Sequence, residues 1–283
     1  MHSSFSTQIL FELKKQYKTD IAFLIHKTTV YYAHHMQTTN SPTTAIAKLI
    51  QGISEFYKEN AHFMLRNRIY CSYAPQQKCL GMIKVAAKRF TFIEHCENNA
   101  IVLPYTFVEV KYNFTFTDNP QIREYLSHII LKNDNDCMQL ALNLKEKGNN
   151  TFSLSLSDRK IAAILVDAQY QLLAYGLNSN STNRTRHAEI NLIYQYFHNY
   201  QQKIPAKTKL FTTLKPCIMC ANMIWECTED ITQVKVFYHE NDYGSYTKNT
   251  VLDKDFFAKN QKSANTNLQK KHFNICEHFY SVT

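Results

Sequence analysis

His187-Ala188-Glu189 and, 27 residues beyond that glutamate, Pro216-Cys217-Ile218-Met219-Cys220 are the stretches that decide how this 283-residue chain is read. One histidine and two cysteines supply three metal donors. That is the number a catalytic zinc site takes from protein, leaving a fourth position for water. The carboxylate of Glu189 follows the histidine by two residues and suits acid/base work without having to bind metal. A purely structural zinc site would want a fourth ligand. The nearest candidates, His198 and Cys227, each lie about two turns or more along the helix from the pair they would join. A structural site would also have no use for Glu189.

Around these stretches the pattern alternates between strand and helix. Asn135–Gly148 reads as a helix with Met138, Ala141, Leu142 and Leu144 near one face. Lys160–Asp167 is a buried strand, and Gln171–Tyr175 is its hairpin partner. A polar loop, Gly176–Arg186, leads to a helix that starts at His187 and carries Ile190, Leu192, Ile193 and Tyr196. Lys209–Thr213 is a strand, Pro216 opens a third helix at its favoured first position, and Ile231–Tyr238 is a further strand. The order is α-β-β-α-β-α-β, with both donor groups at helix starts. There the positive end of the helix dipole favours thiolate over thiol.

The residues Ala162–Asn178 (AAILVDAQYQLLAYGLN), His187–Ile193 (HAEINLI) and Phe211–Ile224 (FTTLKPCIMCANMI) resemble the cytidine/deoxycytidylate deaminase superfamily. H-x-E followed by P-C-x-x-C is a signature of zinc nucleobase deaminases. The resemblance covers about residues 133–245. Its wording is most similar to the tRNA adenosine deaminases and the bacterial nucleic-acid and toxin-type deaminases, and guanine and cytosine deaminases share much of it. It implies zinc held by His187, Cys217 and Cys220, with Glu189 as proton shuttle. It also sets Asn178 on a family asparagine that contacts the nucleoside. By itself Asn178 is equally a turn residue in a loop rich in asparagine. Two departures bear on the substrate. Lys215 stands where the tRNA-type enzymes usually carry Glu, and Glu240–Thr283 follows no single subfamily. Tyr243 and Tyr246, beside Gly244, have the character of lid residues.

Composition narrows the field. Five glycines and no Walker sequence leave no Rossmann or P-loop site. The first 20 residues carry charges where a secretory signal would be apolar, and no run reaches the ~18 apolar residues of a membrane span. A cytoplasmic protein with no membrane partner is expected, its eight cysteines reduced or bound to metal. The net charge of +9 is spread over both halves; such an excess helps attract phosphates, but one this mild is also common in proteins that never meet nucleic acid.

The first half contains the same sequence of elements. Asp20–Ala33 has strand-turn-strand form. Ser41 and Pro42 make an N-cap and N1 pair for a helix bearing Ile46, Leu49, Ile50, Ile53, Phe56 and Tyr57. Asn67–Ile83 lies over Thr208–Ile224 at an offset of 141, placing Pro75 on Pro216 and Cys79 on Cys220. The hairpins align at 140, the helices at 143, and Arg89–His95 over Gln233–His239 at 144. The chemical groups do not recur: Thr44 stands for His187, Ile46 for Glu189 and Gln76 for Cys217. Tyr31, Tyr32, Tyr70 and Tyr73, with Arg66 and Arg68, would suit stacking on bases if this half met nucleic acid.

The expectation is therefore an α/β protein with a three-layer α-β-α cytidine-deaminase-like fold, in two tandem copies in preference to an unrelated α/β first half that matches by chance. Residues 1–125 form the degenerate copy and residues 130–283 the catalytic domain. The expected function is zinc-dependent hydrolytic deamination of an adenine- or cytosine-type base in nucleic acid, RNA or single-stranded DNA, or in a nucleotide. The alternatives are a deaminase of free guanine- or cytosine-type bases or nucleosides, and a zinc-binding regulator without activity. The chain would be a monomer through an internal pseudo-dimer, or a homodimer.

Overall fold

A computed structural model describes residues 2–36, 41–96, 98, 101–115, 119–151, 159–181, 183–253 and 276–278. The chain divides into two compact units, Met1–Phe114 with Thr182–Thr185, and Thr115–Ser181 with Arg186–Thr283. The boundary thus falls ahead of residue 125, the end of the first domain expected from the sequence. The physical reason is that Ile122 of the intervening helix is buried in the second core, with Tyr125 and Leu126 packed against it.

The first unit comprises α1 (His2–Gln16), β1 (Asp20–His26), β2 (Thr29–His35), α2 (Ala45–Met64), β3 (Ile69–Cys71), α3 (Gln77–Met82), β4 (Phe90–Phe92) and β5 (Thr106–Glu109). A π-helical segment, Ile83–Ala87, extends α3. The sheet order is β4-β3-β1-β2-β5. β1 is antiparallel to β2 and β3, while β4 and β5 are parallel to β3 and β2. Ile9, Leu10 and Leu13 of α1 pack against Ile21, Phe23, Val30 and Tyr32 on one face.

The N-cap of α2 is Thr44, whose hydroxyl accepts the Ala47 N–H, and not Ser41 as the Ser-Pro pair suggests. Ser41 instead accepts from the Thr43 N–H, a local turn that competes with helix initiation. The tyrosines suited to base stacking are mostly committed to packing. Tyr32 is buried, Tyr70 stacks on Phe23 and Tyr31 meets the edge of Tyr57. The Tyr73 hydroxyl accepts the Ile46 N–H.

The second unit comprises α4 (Pro120–Ser127), α5 (Asp134–Thr151), β6 (Ala162–Val166), β7 (Leu172–Leu177), α6 (Ala188–Tyr200), β8 (Lys209–Leu214), α7 (Ile218–Glu226), β9 (Lys235–Glu240) and β10 (Cys276–His278). Ile231–Gln233, expected to open a strand, is a 3-10 turn capped by Asp230. Pro216 precedes the N-cap of α7, which is Cys217. Sheet order is β10-β9-β8-β6-β7.

Side chains alternate across these strands. Ala162, Ile164, Val166, Tyr175, Leu177, Phe211 and Phe237 pack with Cys137, Met138, Ala141 and Leu144 of α5. The opposite face, where Thr212 meets Glu189, carries α6. This is a three-layer α-β-α arrangement.

β7 and β8 flank β6 and are both antiparallel to it. They therefore run in the same direction and end at the same edge of the sheet. Each is followed by a helix, so the starts of α6 and α7 come to that edge together. The approach of α6 is close. A Cβ on Gly176 of β7 would collide with the Ala188 carbonyl oxygen and lie 2.6 Å from the Leu192 nitrogen. Both are backbone atoms that cannot turn aside.

Gly176→Ala is accordingly expected to destabilise the protein by about 3 kcal/mol through overpacking. Urea denaturation checks this, and unchanged stability would mean that α6 does not lie against β7 as described.

Candidate active site

Two N-caps bring the site together. His187 caps α6 and Cys217 caps α7, each with extended backbone, and Cys220 lies in the first turn of α7. Their donor atoms lie within 4.8 Å of one another. His187 Nδ1 is 3.6 Å from Cys217 Sγ and 3.5 Å from Cys220 Sγ, and the two sulfurs are 3.6 Å apart. Zinc bonds of about 2.0 Å to nitrogen and 2.3 Å to sulfur in a tetrahedron separate ligands by roughly 3.5–3.8 Å. The donor set and its spacing thus fit one such ion. Cys220 is fully buried, whereas His187 and Cys217 are partly exposed. Neither His198 nor Cys227 belongs to it. His198 is exposed, and the Cys227 thiol lies against the Met223 sulfur.

Glu189 lies in the first turn of α6 and is 4% exposed. Its Oε2 is 3.3 Å from Cys220 Sγ, and its Oε1 accepts the Thr212 hydroxyl at 3.4 Å. Burial pushes its carboxyl above the usual range, against the pull of His187. A hydrogen bond from Cys220 and the nearby His187 hold Cys217 well below the usual thiol range, while burial and Cys217 push Cys220 well above it. Burial lowers the affinity of His187 for its proton, but Cys217 outweighs it, so the imidazole titrates above its ordinary value.

Asn178 follows β7 and is almost fully buried. Its Nδ2 donates to the Arg159 carbonyl at 3.0 Å and to Asn180 Oδ1 at 2.9 Å. Its Oδ1 is buried and has no hydrogen-bond partner among the described residues. Lys215 Nζ pairs with Asp253 at 2.9 Å, each side chain 19% exposed, which fastens the chain beyond β9 beside the Pro216–Cys220 loop. Tyr243 and Tyr246 are exposed. Of the tail that follows no single subfamily, residues 254–275 and 279–283 lie outside the described residues.

Two residues not singled out from the sequence organise the site. The single hydroxyl proton of Thr212 is shared between Glu189 Oε1 at 3.4 Å and the Leu214 carbonyl at 3.2 Å. Asn191 distributes the two N–H groups of its amide over the Leu177 carbonyl at 2.7 Å, the Ser179 hydroxyl at 3.1 Å and the Arg186 carbonyl at 3.4 Å. It ties both ends of the β7–α6 loop to the helix, and so steadies Asn178 and His187 together. The available signal was a single asparagine between Ile190 and Leu192, in a helix otherwise apolar there.

Residues 153–265 match the family described as Bd3614-like deaminase. Comparison with curated proteins gave no match. Similar solved structures include one from a study of A-to-I editing by tRNA:A34 deaminases at the wobble position of transfer RNA. It is 26% identical, covering 38% of this chain and 77% of that one, with a TM-score of 0.31. Guanine deaminase from Nitrosomonas europaea is 17% identical over 46% and 71% of the two chains, TM-score 0.37. The dCMP deaminase from the cyanophage S-TIM5 is 22% identical over 44% and 88%, TM-score 0.29. The HAE and PCIMC motifs both fall within the matched stretch, which is similar to the Bd3614-like deaminase family.

Proposed function

We propose that this protein is a zinc-dependent hydrolase that deaminates an adenine- or cytosine-type base carried in a nucleic acid or a nucleotide. The observation that carries the reading is a buried carboxylate 3.3 Å from one of three metal donors that converge within 4.8 Å. His187, Cys217 and Cys220 would hold the ion and leave a position on the exposed side. Zinc bound there would lower the pKa of a water toward neutrality. The net charge of +9 favours a phosphate-bearing substrate.

Glu189 is the proton carrier. The water oxygen bonds to the amine-bearing ring carbon, and one water proton passes through Glu189 to the adjacent ring nitrogen. The exocyclic C–N bond then breaks. The second proton leaves with the amine as ammonia, and a ring carbonyl remains. Thr212 holds the carboxylate in position through its hydroxyl. The unpartnered Oδ1 of Asn178 is an acceptor for a substrate hydroxyl or amine.

The experiment is a screen for ammonia release across free bases, nucleosides, nucleotides and short single strands, with zinc measured in parallel. Release from oligonucleotides or nucleotides is expected, with oligonucleotide binding that weakens as salt rises. Activity confined to free bases or nucleosides would remove the nucleic-acid reading. Stoichiometric zinc with no release from any substrate class would leave a binding protein.

Glu189→Gln is expected to keep about one zinc per chain and to lower turnover about 10³-fold or more. Near-normal turnover in that variant would exclude Glu189 as the proton carrier. Cys217→Ala is expected to lose zinc and to unfold at a lower temperature, because metal binding and folding are linked. Metal analysis and a thermal melt check both points.

A further inference from the structure

The two units share a four-stranded core. β4-β3-β1-β2 in the first and β9-β8-β6-β7 in the second have the same order. In each, the central strand is antiparallel to both neighbours and the outer pair is parallel. Helices occupy the same connections, with α1, α2 and α3 answering α5, α6 and α7. The fifth strand differs: β5 lies beside β2, whereas β10 lies beside β9.

Packing sets the register. Ile21 and Phe23 face α1, as Ala162 and Ile164 face α5. Ile21 therefore answers Ala162, an offset of 141 and not the 140 suggested by the letters alone. A one-residue slip would turn each side chain to the wrong face. β1 pairs Ala22 with Ala33 and Cys71, and β6 pairs Ala163 with Gly176 and Thr212. In the outer strands Tyr70 pairs with Thr91 as Phe211 pairs with Phe237, which moves the last offset from 144 to 146.

The cap positions follow the same register. Thr44 caps α2 as His187 caps α6, and Gln76 caps α3 as Cys217 caps α7. Cys79 then falls on Cys220. The strand register adds a correspondence not evident from the sequence, His35 with Asn178, since His35 lies opposite Asp20 as Asn178 lies opposite Ile161.

The local geometry is conserved while the chemistry is not. Thr44 Oγ1 lies 3.3 Å from Cys79 Sγ, where His187 Nδ1 lies 3.5 Å from Cys220 Sγ. Tyr73, at the position of Leu214, directs its hydroxyl to within 3.9 Å of Cys79 Sγ and accepts the Ile46 N–H at 3.1 Å. It thereby occupies space beside the start of α2, where Ile46 replaces the carboxylate. His35 Nε2 and Gln76 Oε1, at the positions of Asn178 and Cys217, are buried without partners among the described residues.

We propose that the first unit is a second copy of the deaminase core in which a hydroxyl–thiol cluster of Thr44, Tyr73 and Cys79 has taken the place of the metal, and that the backbone mould for the metal survives there. The test is to rebuild the site with Thr44→His, Gln76→Cys and Tyr73→Leu in the full chain and count zinc. The content is expected to double, from one to two ions per chain. A folded variant that stays at one ion overturns the proposal. Counting from one rests on zinc at His187, so wild-type protein is measured alongside. Absence of zinc there would count against that site, while the gain of one ion in the variant would still support the mould in the first unit.

Thr44→Cys alone tests the same juxtaposition without metal. Mild oxidation is expected to join the new thiol to Cys79, as mapped by peptide mass spectrometry. If the triple variant fails to fold, this cross-link decides: its absence in folded protein overturns the proposal.

Discussion

The site depends on the direction of two strands. β7 and β8 lie on either side of β6, both antiparallel to it, and so deliver their following helices to one edge of the sheet. Reversing either strand would carry one helix start to the opposite edge, out of reach of the other. Gly176 completes the constraint, since a side chain there would hold α6 away from the sheet. With α6 seated, Glu189 reaches Thr212 on β8, and His187 meets both cysteines.

The helix starts also explain why these residue types are tolerated so far from water. An isolated buried charge is costly, and a buried acceptor without a partner is costly as well. Unsatisfied N–H groups and the helix dipole at the starts of α6 and α7 favour negative charge on Glu189 and on the cysteine sulfurs. A cation shared by His187, Cys217 and Cys220 would reduce the remaining cost. In the first unit the same helix starts face a neutral set, in which Thr44 caps its own helix and Tyr73 accepts a backbone N–H.

Much of the second unit was legible because its apolar pattern is strong. KIAAILVD reads as a buried strand, and the helix after His187 shows its apolar face directly. Boundaries were less legible. Pro216 suits a first helical position by propensity, but Cys217 caps the helix. Ser41-Pro42 looks like a helix start, but Thr44 is the residue whose hydroxyl accepts the Ala47 N–H. At Ser41 the hydroxyl is taken by the Thr43 N–H, a local turn that competes with helix initiation. The contributions of Thr212 and Asn191 were hidden for another reason: each acts through atoms distant in sequence, across a strand or a loop.

The amino-acid sequence by itself determined the chemistry on offer. A histidine, a carboxylate and two cysteines at fixed short spacings limit the reactions available, because donor type and spacing along a helix start are local properties. Tertiary structure alone decided convergence and register. It brought His187 within 3.6 Å of Cys217, a residue 30 positions away, and set His35 opposite Asp20. Those relations depend on strand direction and on which face of the sheet each side chain takes. A shift of one residue reverses that face while leaving the letters almost equally well matched.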